Sequence, residues 1–331
     1  MAHSREQTIK YEIAKAFAKA EGEYISGQAL ADLVGCSRVA IWKHIDQLRQ
    51  EGYEIEAVKK KGYRLLNKLD TLSATDILMG LQTEFVGQSI FSYETVRSTQ
   101  IIARELAGNG AKDGTVVISN EQTEGTGRLK RKWHSPSDGG IWLSMILRPD
   151  IPPYLAPQLT LLTAVAAVRT LNQFEVDAGI KWPNDVLVKG KKIAGILTEL
   201  HAESDQIHHV IIGIGLNMNQ SFESFPDELK EIATSVLIEK KQMIDRVEFL
   251  HSFFKNFENM YLLFLEKGFG PIKQLWEEHS ITIGKKVTVQ NLHSSLTGMA
   301  IGINHDGVLI IMDEEQNSHL VYSGDITVHQ A

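Results

Sequence analysis

Residues 181–197, KWPNDVLVKGKKIAGIL, contain two short apolar runs separated by a lysine–glycine turn. The runs VLV and IAGIL have the aliphatic, partly β-branched composition of strands, and the turn predicts that they form a hairpin. Lys192 opens the second strand just ahead of Ala194 and Gly195, small residues that let a ligand or another backbone come close. Its ammonium group can therefore meet an anion, or it can be an edge lysine that discourages strand pairing. Position alone does not decide between the two.

Strand and helix patterns alternate on both sides of this hairpin, which predicts a central α/β or α+β domain. Strands are expected at 89–96, 114–121, 140–147, 184–189, 192–200 and 208–216. Helices are expected at 98–108, 157–174 and 242–267. The last of these helices carries an apolar stripe that we interpret as core rather than as a ligand site: Leu250, Phe253, Phe254, Phe257, Tyr261, Phe264 and Leu265.

From about Ile283 the pattern becomes all-β. The segments KKVTVQ, LTGMAIGIN, GVLIIM and LVYSGDITV have the pattern of short strands, and HDG at 305–307 is a tight-turn signal. A segment of this kind predicts a small barrel, which by itself indicates no chemistry.

The N-terminal segment predicts three short helices followed by two strands. Residues 8–20 place apolar side chains three and four apart, and Ser26 and Ser37 are candidate N-caps of the next two helices. Gly35 ends the second helix and Gly52 ends the third. A short helix, a glycine turn and a second capped helix form a helix-turn-helix. The following YEIEAVKKKGYRLL predicts two strands around a basic turn, which is a wing.

The third helix is predicted to present a polar, basic face opposite its apolar side. The DNA-binding candidates at its start and on this face are Ser37, Arg38, Lys43 and His44. Such side chains suit base edges and phosphates in a major groove. The wing supplies Lys59, Lys60 and Lys61, which suit phosphates only. The alternative is a small helical interaction module whose exposed residues are merely polar.

The composition is that of a soluble, multidomain protein. The 331 residues exceed one ordinary domain, and 43% hydrophobic with 23% charged residues allow a sizeable core. The single cysteine, Cys36, excludes a disulfide framework and fits a reducing compartment. The N-terminus lacks the apolar centre of a signal peptide, and no apolar run approaches the roughly 20 residues of a membrane span. We therefore expect a cytoplasmic protein.

Residues 121–136, EQTEGTGRLKRKWHSP, form a dense basic run in a chain whose formal net charge is −7. Two glycines, two positions apart, lead into four basic residues: Arg128, Lys130, Arg131 and Lys132. The run can be a nucleic-acid patch, a phosphate cradle or a solvated loop. Because a separate winged helix is already predicted for DNA, we favour a hinged cradle for a ligand and its phosphates.

Several standard catalytic motifs are absent from the sequence. There is no GxxxxGK[S/T] loop, no GxSxG elbow and no HExxH. With one cysteine in the chain, and with His208 and His209 facing opposite sides of a strand, a structural zinc site is not expected. The two glycines of the motif GIGLNMN at 213–219 can let a ligand approach the backbone closely, or they can serve only the packing of the core. The motif VRSTQ at 96–100 offers ligand-binding hydroxyls at a helix start or simple capping by Ser98.

Five motifs together resemble the bacterial biotin–protein ligases that also repress the biotin operon. They are STQ after a strand, EQTEGTGRLKRKWHSP, GGIWLSMILRP, KWPNDVLVKGKKIAGILTEL and IIGIGLNMN, in that order. The combination of KWPND, KKIAGIL and GxGRxxRKW is highly specific, whereas STQ and GIGLN are not. The resemblance covers essentially the whole chain.

The resemblance implies a multidomain α+β fold with a short capped helix, Ser73 to Asp76 at its start, as linker. The implied parts are a winged helix-turn-helix at 1–66, the linker helix at 67–84, a central mixed α/β biotin/lipoate-ligase-type catalytic domain at 85–275, and a small C-terminal SH3-like β-barrel at 276–331.

The resemblance also implies a reaction. In the family the carboxylate of biotin attacks the α-phosphate of ATP, with Mg²⁺ present, and biotinoyl-5′-AMP and pyrophosphate form. A lysine ε-amine of the biotin carboxyl carrier domain of acetyl-CoA carboxylase, or of a related carboxylase, then attacks the mixed anhydride, which leaves an amide and AMP. Two anions must meet and negative charge grows on the α-phosphoryl oxygens, so fixed cations and backbone N–H groups are needed.

The functional residues of the family correspond to defined positions here. The implied catalytic residues are Lys192, Arg128 and Asp185, the last assigned to orienting or deprotonating the acceptor lysine. The implied biotin-binding residues are Ser98, Thr99, Gln100, Gln122, Thr126, Gly127, Arg128 and Lys192. The implied ATP and adenylate contacts are Gly125, Arg131, Lys132, Trp133, Trp182, Asn184, Gly213 and Asn217. No metal-ligating residue is implied.

One position departs from the family pattern. Relatives commonly have GRGR where this chain has Gly125-Thr126-Gly127-Arg128, so a threonine replaces an arginine of the ligand-closing loop. We expect activity to be kept and biotinoyl-5′-AMP to escape faster. Lys130 is the nearby residue that can compensate.

Regulation by the same adenylate is implied as well. If it orders the 122–133 loop and that order favours a homodimer, then it also favours operator DNA, because couplings between ligands are reciprocal. Two winged helices on a two-fold axis then read a palindrome. Unbiotinylated carrier protein competes with DNA for the adenylate-bound protein.

Two other functions remain open. A ligand-sensing repressor without enzymatic activity has the same domain order, although Lys192 and Arg128 beside KWPND argue against it. A lipoate or octanoate ligase shares the catalytic fold. The chain lacks a Met-Lys-Met acceptor motif, so it is not expected to be its own substrate.

Overall fold

A computed structural model describes residues 2–20, 22–68, 72–290 and 295–329, which form three units that each contain a sheet. The elements of the N-terminal unit are α1 Ala2–Lys19, α2 Gly27–Val34, α3 Arg38–Gln50, β1 Tyr53–Val58 and β2 Gly62–Lys68. The two strands pair antiparallel around the basic turn. Three helices followed by this hairpin confirm the predicted winged helix-turn-helix.

The helix ends of this unit form where the sequence predicts them. The hydroxyl of Ser26 accepts a hydrogen bond from the backbone N–H of Ala29 at 3.0 Å, and that of Ser37 from Ala40 at 3.2 Å. Gly35 ends α2 with a left-handed φ of 64°. The first helix begins earlier than predicted, at Ala2, because apolar periodicity marks only the packed part of a helix.

His44 is buried, which corrects the prediction that it lies on the DNA-facing side of α3. Only 7% of the residue is exposed, and its Nδ1 lies 3.1 Å from Oε1 of Gln47. His44 follows the core residue Ile41 by three positions, so the helix turns both side chains to the same side. We therefore remove His44 from the set of DNA-contact candidates.

The linker contains the short helix α4 Ala74–Leu78, and the predicted capping box is present. The Ser73 hydroxyl accepts from the backbone N–H of Asp76 at 3.1 Å and donates to its carboxylate at 2.6 Å. The linker is bound to the N-terminal unit, because the Tyr53 hydroxyl donates to Asp76 and Thr75 donates to Glu51 at 2.8 Å. Residues 69–71 of the predicted linker lie outside the described residues.

The central unit is built on a seven-stranded mixed sheet. Its strands are β3 Ile90–Val96, β4 Thr115–Gln122, β5 Ile141–Leu147, β6 Gly179–Lys181, β7 Asp185–Val188, β8 Lys191–Glu203 and β9 Gln206–Leu216. They lie in the order β3-β4-β5-β9-β8-β7-β6; β3 and β4 are parallel, and the other neighbours are antiparallel. All six predicted strands are present. The additional strand, β6, is too short for periodicity to reveal.

The helices of this unit cover the sheet. They are α5 Thr99–Gly108, α6 Pro157–Gln173, α7 Asp227–Lys230, α8 Val236–Lys240, α9 Arg246–Lys267 and α10 Gly270–Glu278. By length and composition alone, the segment Pro153–Gln173 could cross a membrane, but 72% of its apolar window is buried inside the protein. It packs with α9 in the main hydrophobic core, as a core helix of a globular protein does.

The helix predicted at 242–267 begins later and has a narrower buried stripe than predicted. Asp245 caps α9 by accepting from the backbone N–H groups of Val247 and Glu248. The predicted stripe is buried except at Leu265, which is 44% exposed. Leu265 is one helical step of about 100° away from the buried Phe264 and lies in the last turn, where the helix leaves the core. The prediction for that residue is therefore wrong.

The C-terminal unit is an antiparallel five-stranded sheet. Its strands are β10 Lys286–Gln290, β11 Ser295–Ile303, β12 Leu309–Met312, β13 Ser318–Val321 and β14 Asp325–Val328, in the order β13-β12-β11-β10-β14. The predicted HDG turn joins β11 to β12, with Gly307 at a φ of 81°. No ladder joins β13 to β14 in the described part of the chain, so closure into an SH3-like barrel stays a prediction.

Candidate active site

The predicted ligand residues converge on one cavity of about 320 Å³, between the loop after β4 and the strands β8 and β9. Fifteen of them line it: Ser98, Thr99, Gln100, Gln122, Thr126, Gly127, Arg128, Arg131, Lys132, Trp133, Asn184, Asp185, Lys192, Gly213 and Asn217. These residues come from five separate segments of the sequence, and the central sheet brings them together.

The loop after β4, residues 122–133, is held by its own backbone. The N–H of Trp133 donates to the carbonyl of Gly125 at 2.8 Å, and the N–H of Gly127 donates to that of Arg131 at 2.8 Å. Leu129 and Lys130 adopt left-handed φ values of 55° and 59°, which turn the chain back on itself. The loop therefore forms a compact flap beside the cavity.

An ion pair fixes the beginning of this loop. Both guanidinium nitrogens of Arg97 donate to the two carboxylate oxygens of Glu124, at 3.0 and 2.7 Å. These hydrogen bonds lower the pKa of Glu124 below its ordinary value. The pair is exposed, so it orients the loop more than it stabilises the fold.

Gly125 shapes the loop and is not among the residues that line the cavity, so its contact with the nucleotide stays a prediction. A Cβ at this position would come within 2.6 Å of the Ser135 hydroxyl and 2.8 Å of the Trp133 carbonyl. The loop can close only when residue 125 has no side chain.

Trp133 forms one wall of the cavity and packs flat against two glycines of the sheet. A Cβ on Gly215 would overlap the indole Nε1, and one on Gly195 would lie 3.0 Å from the ring. The ammonium of Lys192 lies 5.1 Å from the centre of the same ring, within the range of a cation–π contact. The glycines therefore let the loop tryptophan reach the catalytic lysine candidate.

Lys192 has a backbone neighbour on both sides, because it pairs with Leu187 of β7 on one side and bridges to Ala233 on the other. The alternative that it is an edge lysine is therefore wrong. Its ammonium is 2.6 Å from the carboxylate of Asp185, and its side chain is 32% exposed. A lysine held in this way presents a fixed positive charge to the cavity.

Arg128 and Asn184 form a second polar contact on the opposite wall. Arg128 donates to the side-chain carbonyl of Asn184 at 3.0 Å, and the Asn184 amide donates to the backbone carbonyl of Ile196 at 3.0 Å. The strand β8 thus orients two of the cations that line the cavity, Lys192 directly and Arg128 through Asn184.

A hydrogen-bond network holds the end of the cavity near α5. The carbonyl oxygen of the Gln122 side chain accepts from the backbone N–H and the hydroxyl of Thr99, at 2.9 and 3.1 Å. Its amide donates to the hydroxyl of Ser135 at 3.0 Å, and Thr99 also contacts Ser144 at 2.8 Å. Ser98 makes no side-chain cap bond to α5, so simple capping does not explain it.

Among the described residues that line the cavity, the buried side-chain carbonyl oxygen of Gln100 and the buried indole N–H of Trp133 lack any polar partner. A third buried atom, Oδ1 of Asp185, makes no hydrogen bond but has the ion pair with Lys192. A buried polar group without a partner costs free energy, which a ligand with the complementary donor and acceptor removes. Gly213 packs against Gln100, since a Cβ there would lie 2.9 Å from its amide carbon.

Trp182 does not line this cavity, and its contact with the nucleotide stays a prediction. The residue is 3% exposed, and its indole N–H donates to the carbonyl of Gly307 in the C-terminal sheet at 3.1 Å. Its role is to join the two units. Local sequence does not reveal this contact, because the partner is more than a hundred positions away in the chain.

Sequence reasoning missed an apolar wall and a carboxylate. The wall consists of Phe225, Leu229, Ile232 and Ala233. Only Leu229 lies in a helix, α7, and the other three lie outside helices and strands, so no periodic pattern in the sequence could have identified them. The carboxylate belongs to Asp325 of β14 and pairs with Arg131 of the loop. Arg131, predicted to meet phosphates, thus already has an anionic partner.

A larger cavity of about 650 Å³ lies beside the first and shares Arg128 and Asn184 with it. Its lining adds Tyr154, Tyr322 and one acidic residue, Asp306, but neither Lys192 nor Trp133. The smaller cavity is the candidate active site, because the paired cations and the unpartnered polar groups belong to it. The described residues contain no group of three or more His, Cys, Asp or Glu side chains suited to a metal ion.

Comparison with known proteins agrees with this fold. Residues 92–217 match the model of the biotin/lipoate A/B protein ligase family, residues 10–64 an HTH domain, and residues 282–328 the biotin protein ligase C-terminal domain. The central sheet and its cavity are those of a biotin/lipoate-type ligase. The chain belongs to the biotin/lipoate A/B protein ligase family.

Relatives that match nearly the whole chain are bifunctional. The bifunctional ligase/repressor BirA of Bacillus spizizenii is 47% identical over 96% of this chain and 98% of its own length. That of Escherichia coli is 30% identical over 88% of this chain and 89% of its own. The solved biotin protein ligase of Aquifex aeolicus in complex with biotin and ATP is 30% identical, with a TM-score of 0.63, over 73% of this chain and 99% of its own.

Proposed function

We propose that this chain is an ATP-dependent biotin–protein ligase and, through its winged helix, a transcriptional repressor that uses biotinoyl-5′-AMP as corepressor. The observation that carries the ligase proposal is the convergence of Lys192, Arg128 and Trp133 on one 320 Å³ cavity. Two cations fixed by strand β8 suit a reaction in which two anions are brought together.

In the first step a carboxylate oxygen of biotin attacks the α-phosphorus of ATP. A phosphorus–oxygen bond forms, the bond to the β-phosphate bridging oxygen breaks, and pyrophosphate leaves. Lys192 places a point charge where the carboxylate and the α-phosphoryl oxygens meet, and Arg128 offers a planar fork for the phosphate. Gln122, Thr99 and the unpartnered carbonyl of Gln100 supply the polar contacts for the ring of biotin.

In the second step the ε-amine of an acceptor lysine attacks the acyl carbon of biotinoyl-5′-AMP. The carbon–nitrogen bond forms, the carbon–oxygen bond to AMP breaks, and the amine gives up a proton. Asp185 is the carboxylate of the cavity that can orient the amine or take its proton, because it lies 2.6 Å from Lys192 at the same place. The acceptor is the carrier domain of a biotin-dependent carboxylase such as acetyl-CoA carboxylase.

Mg²⁺ supplies compensating charge to the triphosphate when it is bound with ATP. The described part of the chain offers it no cluster of three or more ligating side chains. Beside such a cation, the protein would contribute the charges of Lys192 and Arg128.

The repressor half of the proposal rests on the N-terminal unit and on the linker helix α4 that is bonded to it. Arg38, Lys43 and the wing lysines 59–61 are exposed and can meet DNA. The proposed active form is a cytoplasmic homodimer that assembles on adenylate or DNA binding and places two winged helices on a palindromic operator. Footprinting with and without biotin plus ATP tests it, since equal operator affinity in both conditions removes the repressor claim.

A transfer assay tests the ligase half. The protein is incubated with ATP, labelled biotin and a carrier domain; we expect label on the carrier from wild type and a loss of about 10²–10³-fold in adenylate formation for Lys192→Ala. The matched control is Lys191→Ala, because the neighbouring ammonium points away to the carbonyl of Lys230, at 2.9 Å. No label transfer with wild type means a ligand sensor. If added lipoate competes successfully with biotin in this assay, the protein is a lipoate ligase.

A further inference from the structure

The outward side of α3 carries two large apolar side chains. Val39 is 79% exposed and Trp42 is 61% exposed. They are three positions apart and so share one face of the helix, whereas Ile41, Ile45 and Leu48 are fully buried on the other. The helix predicted to read DNA thus keeps an apolar surface in water at its N-terminal half.

Cations surround this apolar pair. Arg38 precedes it and is exposed, and Lys43 follows it with 69% of its side chain exposed. Lys43 lies 3.8 Å from Glu6, but an exposed pair at that distance leaves the ammonium available. The wing adds exposed lysines at 59–61. An apolar centre with a basic rim complements a surface that presents apolar groups between phosphates.

The major groove of DNA is such a surface. Its only apolar group is the 5-methyl of thymine, which lies on the base edge between the two phosphate backbones. Recognition helices reach base edges with their N-terminal residues, and Val39 and Trp42 occupy the second and fifth positions of α3. The removal of buried His44 from the reading face leaves these two residues at its centre.

We propose that Val39 and Trp42 select operator sequence by packing against thymine methyl groups, while Arg38, Lys43 and the wing lysines hold phosphates or base edges. This inference rests on the repressor half of the proposed function. It means that burial of thymine methyl groups discriminates between bases at the operator positions that face Val39 and Trp42. It also explains why a large apolar side chain such as Trp42 is exposed on this helix.

The experiment begins with the full chain, biotin and ATP. Duplexes bound by wild type are selected from a random pool, and each thymine of the selected site is then replaced by deoxyuridine. This replacement removes only the methyl and leaves every hydrogen-bonding group unchanged. We expect a loss of affinity of about fourfold at one or more thymines in each half-site, the value of one buried methyl.

The variants identify which side chain reads which methyl. In Trp42→Gln or Val39→Ala, thymine and deoxyuridine duplexes are expected to bind equally at the matching position. Trp42→Phe keeps an apolar ring and should keep the discrimination. Lys43→Gln is the contrasting variant, because it should weaken all duplexes alike and reduce the salt dependence. Unchanged biotin transfer by each variant shows that the catalytic unit is folded, and retained binding of the deoxyuridine duplexes shows that the DNA-binding unit is folded.

Each result decides the matter. If selection yields no duplex, the repressor function fails and this inference with it. If duplexes are selected but deoxyuridine binds as well as thymine everywhere, only the methyl reading fails. It fails also if Trp42→Gln alters self-association and leaves thymine discrimination intact, since the patch is then a contact between copies of the chain.

Discussion

The indole of Trp133 lies flat over Gly215, so closely that a single methyl group on that glycine would overlap the ring nitrogen. Gly195 lies under the same ring on the neighbouring strand. The contact joins the loop after β4 to the floor of the candidate active site. The loop can therefore close only because the residues of the sheet beneath Trp133 are glycines, which have no side chain.

Gly215→Ala should force Trp133 off the sheet and open the loop. We expect biotin and adenylate to bind on the order of 10- to 100-fold more weakly, because a small displacement of positioning groups is costly. Biotin titration and the release rate of biotinoyl-5′-AMP measure it. Gly108→Ala is the matched control, since a Cβ there meets no atom within 4 Å. Unchanged ligand release in Gly215→Ala contradicts the role assigned to Trp133.

Asp185→Asn should separate the two steps of the reaction. We expect the transfer rate from preformed biotinoyl-5′-AMP to fall about 10²-fold, the usual range for loss of a general base. Adenylate formation should fall less, because Lys192 and Arg128 keep their charges. Single-turnover assays with and without carrier measure both steps, and Asp306→Asn in the neighbouring cavity is the control. Equal losses in both steps mean that Asp185 acts only by holding Lys192.

Thr126→Arg should slow the escape of biotinoyl-5′-AMP. Thr126 is exposed and lines the cavity in the loop, so an arginine there can reach the phosphate of the adenylate. The measurement is the dissociation rate of the adenylate after dilution. A wild-type protein that already releases it as slowly as the variant contradicts the expectation. Lys130→Ala, made in parallel, tests whether that lysine compensates.

Much of the fold could be predicted because it depends on local patterns, whereas the candidate site residues came from the family resemblance and stay predictions. Strand periodicity placed β8, and serine caps placed α2 and α3 to the residue. What failed depends on contacts between distant segments. Burial of His44 follows from packing around α3, and the bond from Trp182 to Gly307 likewise joins segments that are far apart in the sequence. No local pattern contains this information.

The hairpin of β8 and β9 should make stability depend on pH. Burial, with His201 and Arg148 nearby, lowers the pKa of His209 below its ordinary value of 6.5. The His201 and His209 rings stack at 4.8 Å. A histidine with a lowered folded-state pKa contributes stability that is present above about pH 6.5 and is lost as the pH falls through the folded value.

His209→Phe should therefore lose less thermal stability than wild type between about pH 7.5 and about pH 5.5. Thermal denaturation at a series of pH values measures the difference. Some dependence should remain, because burial also lowers the pKa of His279. His305→Gln, an exposed position, is the control. If the melting temperatures of wild type and His209→Phe change with pH in parallel, His209 is not the source of the pH dependence.

The pairing of Arg131 with Asp325 joins the C-terminal sheet to the loop that borders the candidate active site. The carboxylate arrives from a strand near the end of the chain, and the guanidinium belongs to the loop that covers the cavity. The C-terminal sheet therefore cannot be exchanged for that of another protein without effect on the central unit. A hybrid enzyme with a foreign C-terminal unit must bring its own anchor for the loop, and an insertion that tilts this sheet alters ligand retention without touching a ligand-binding residue.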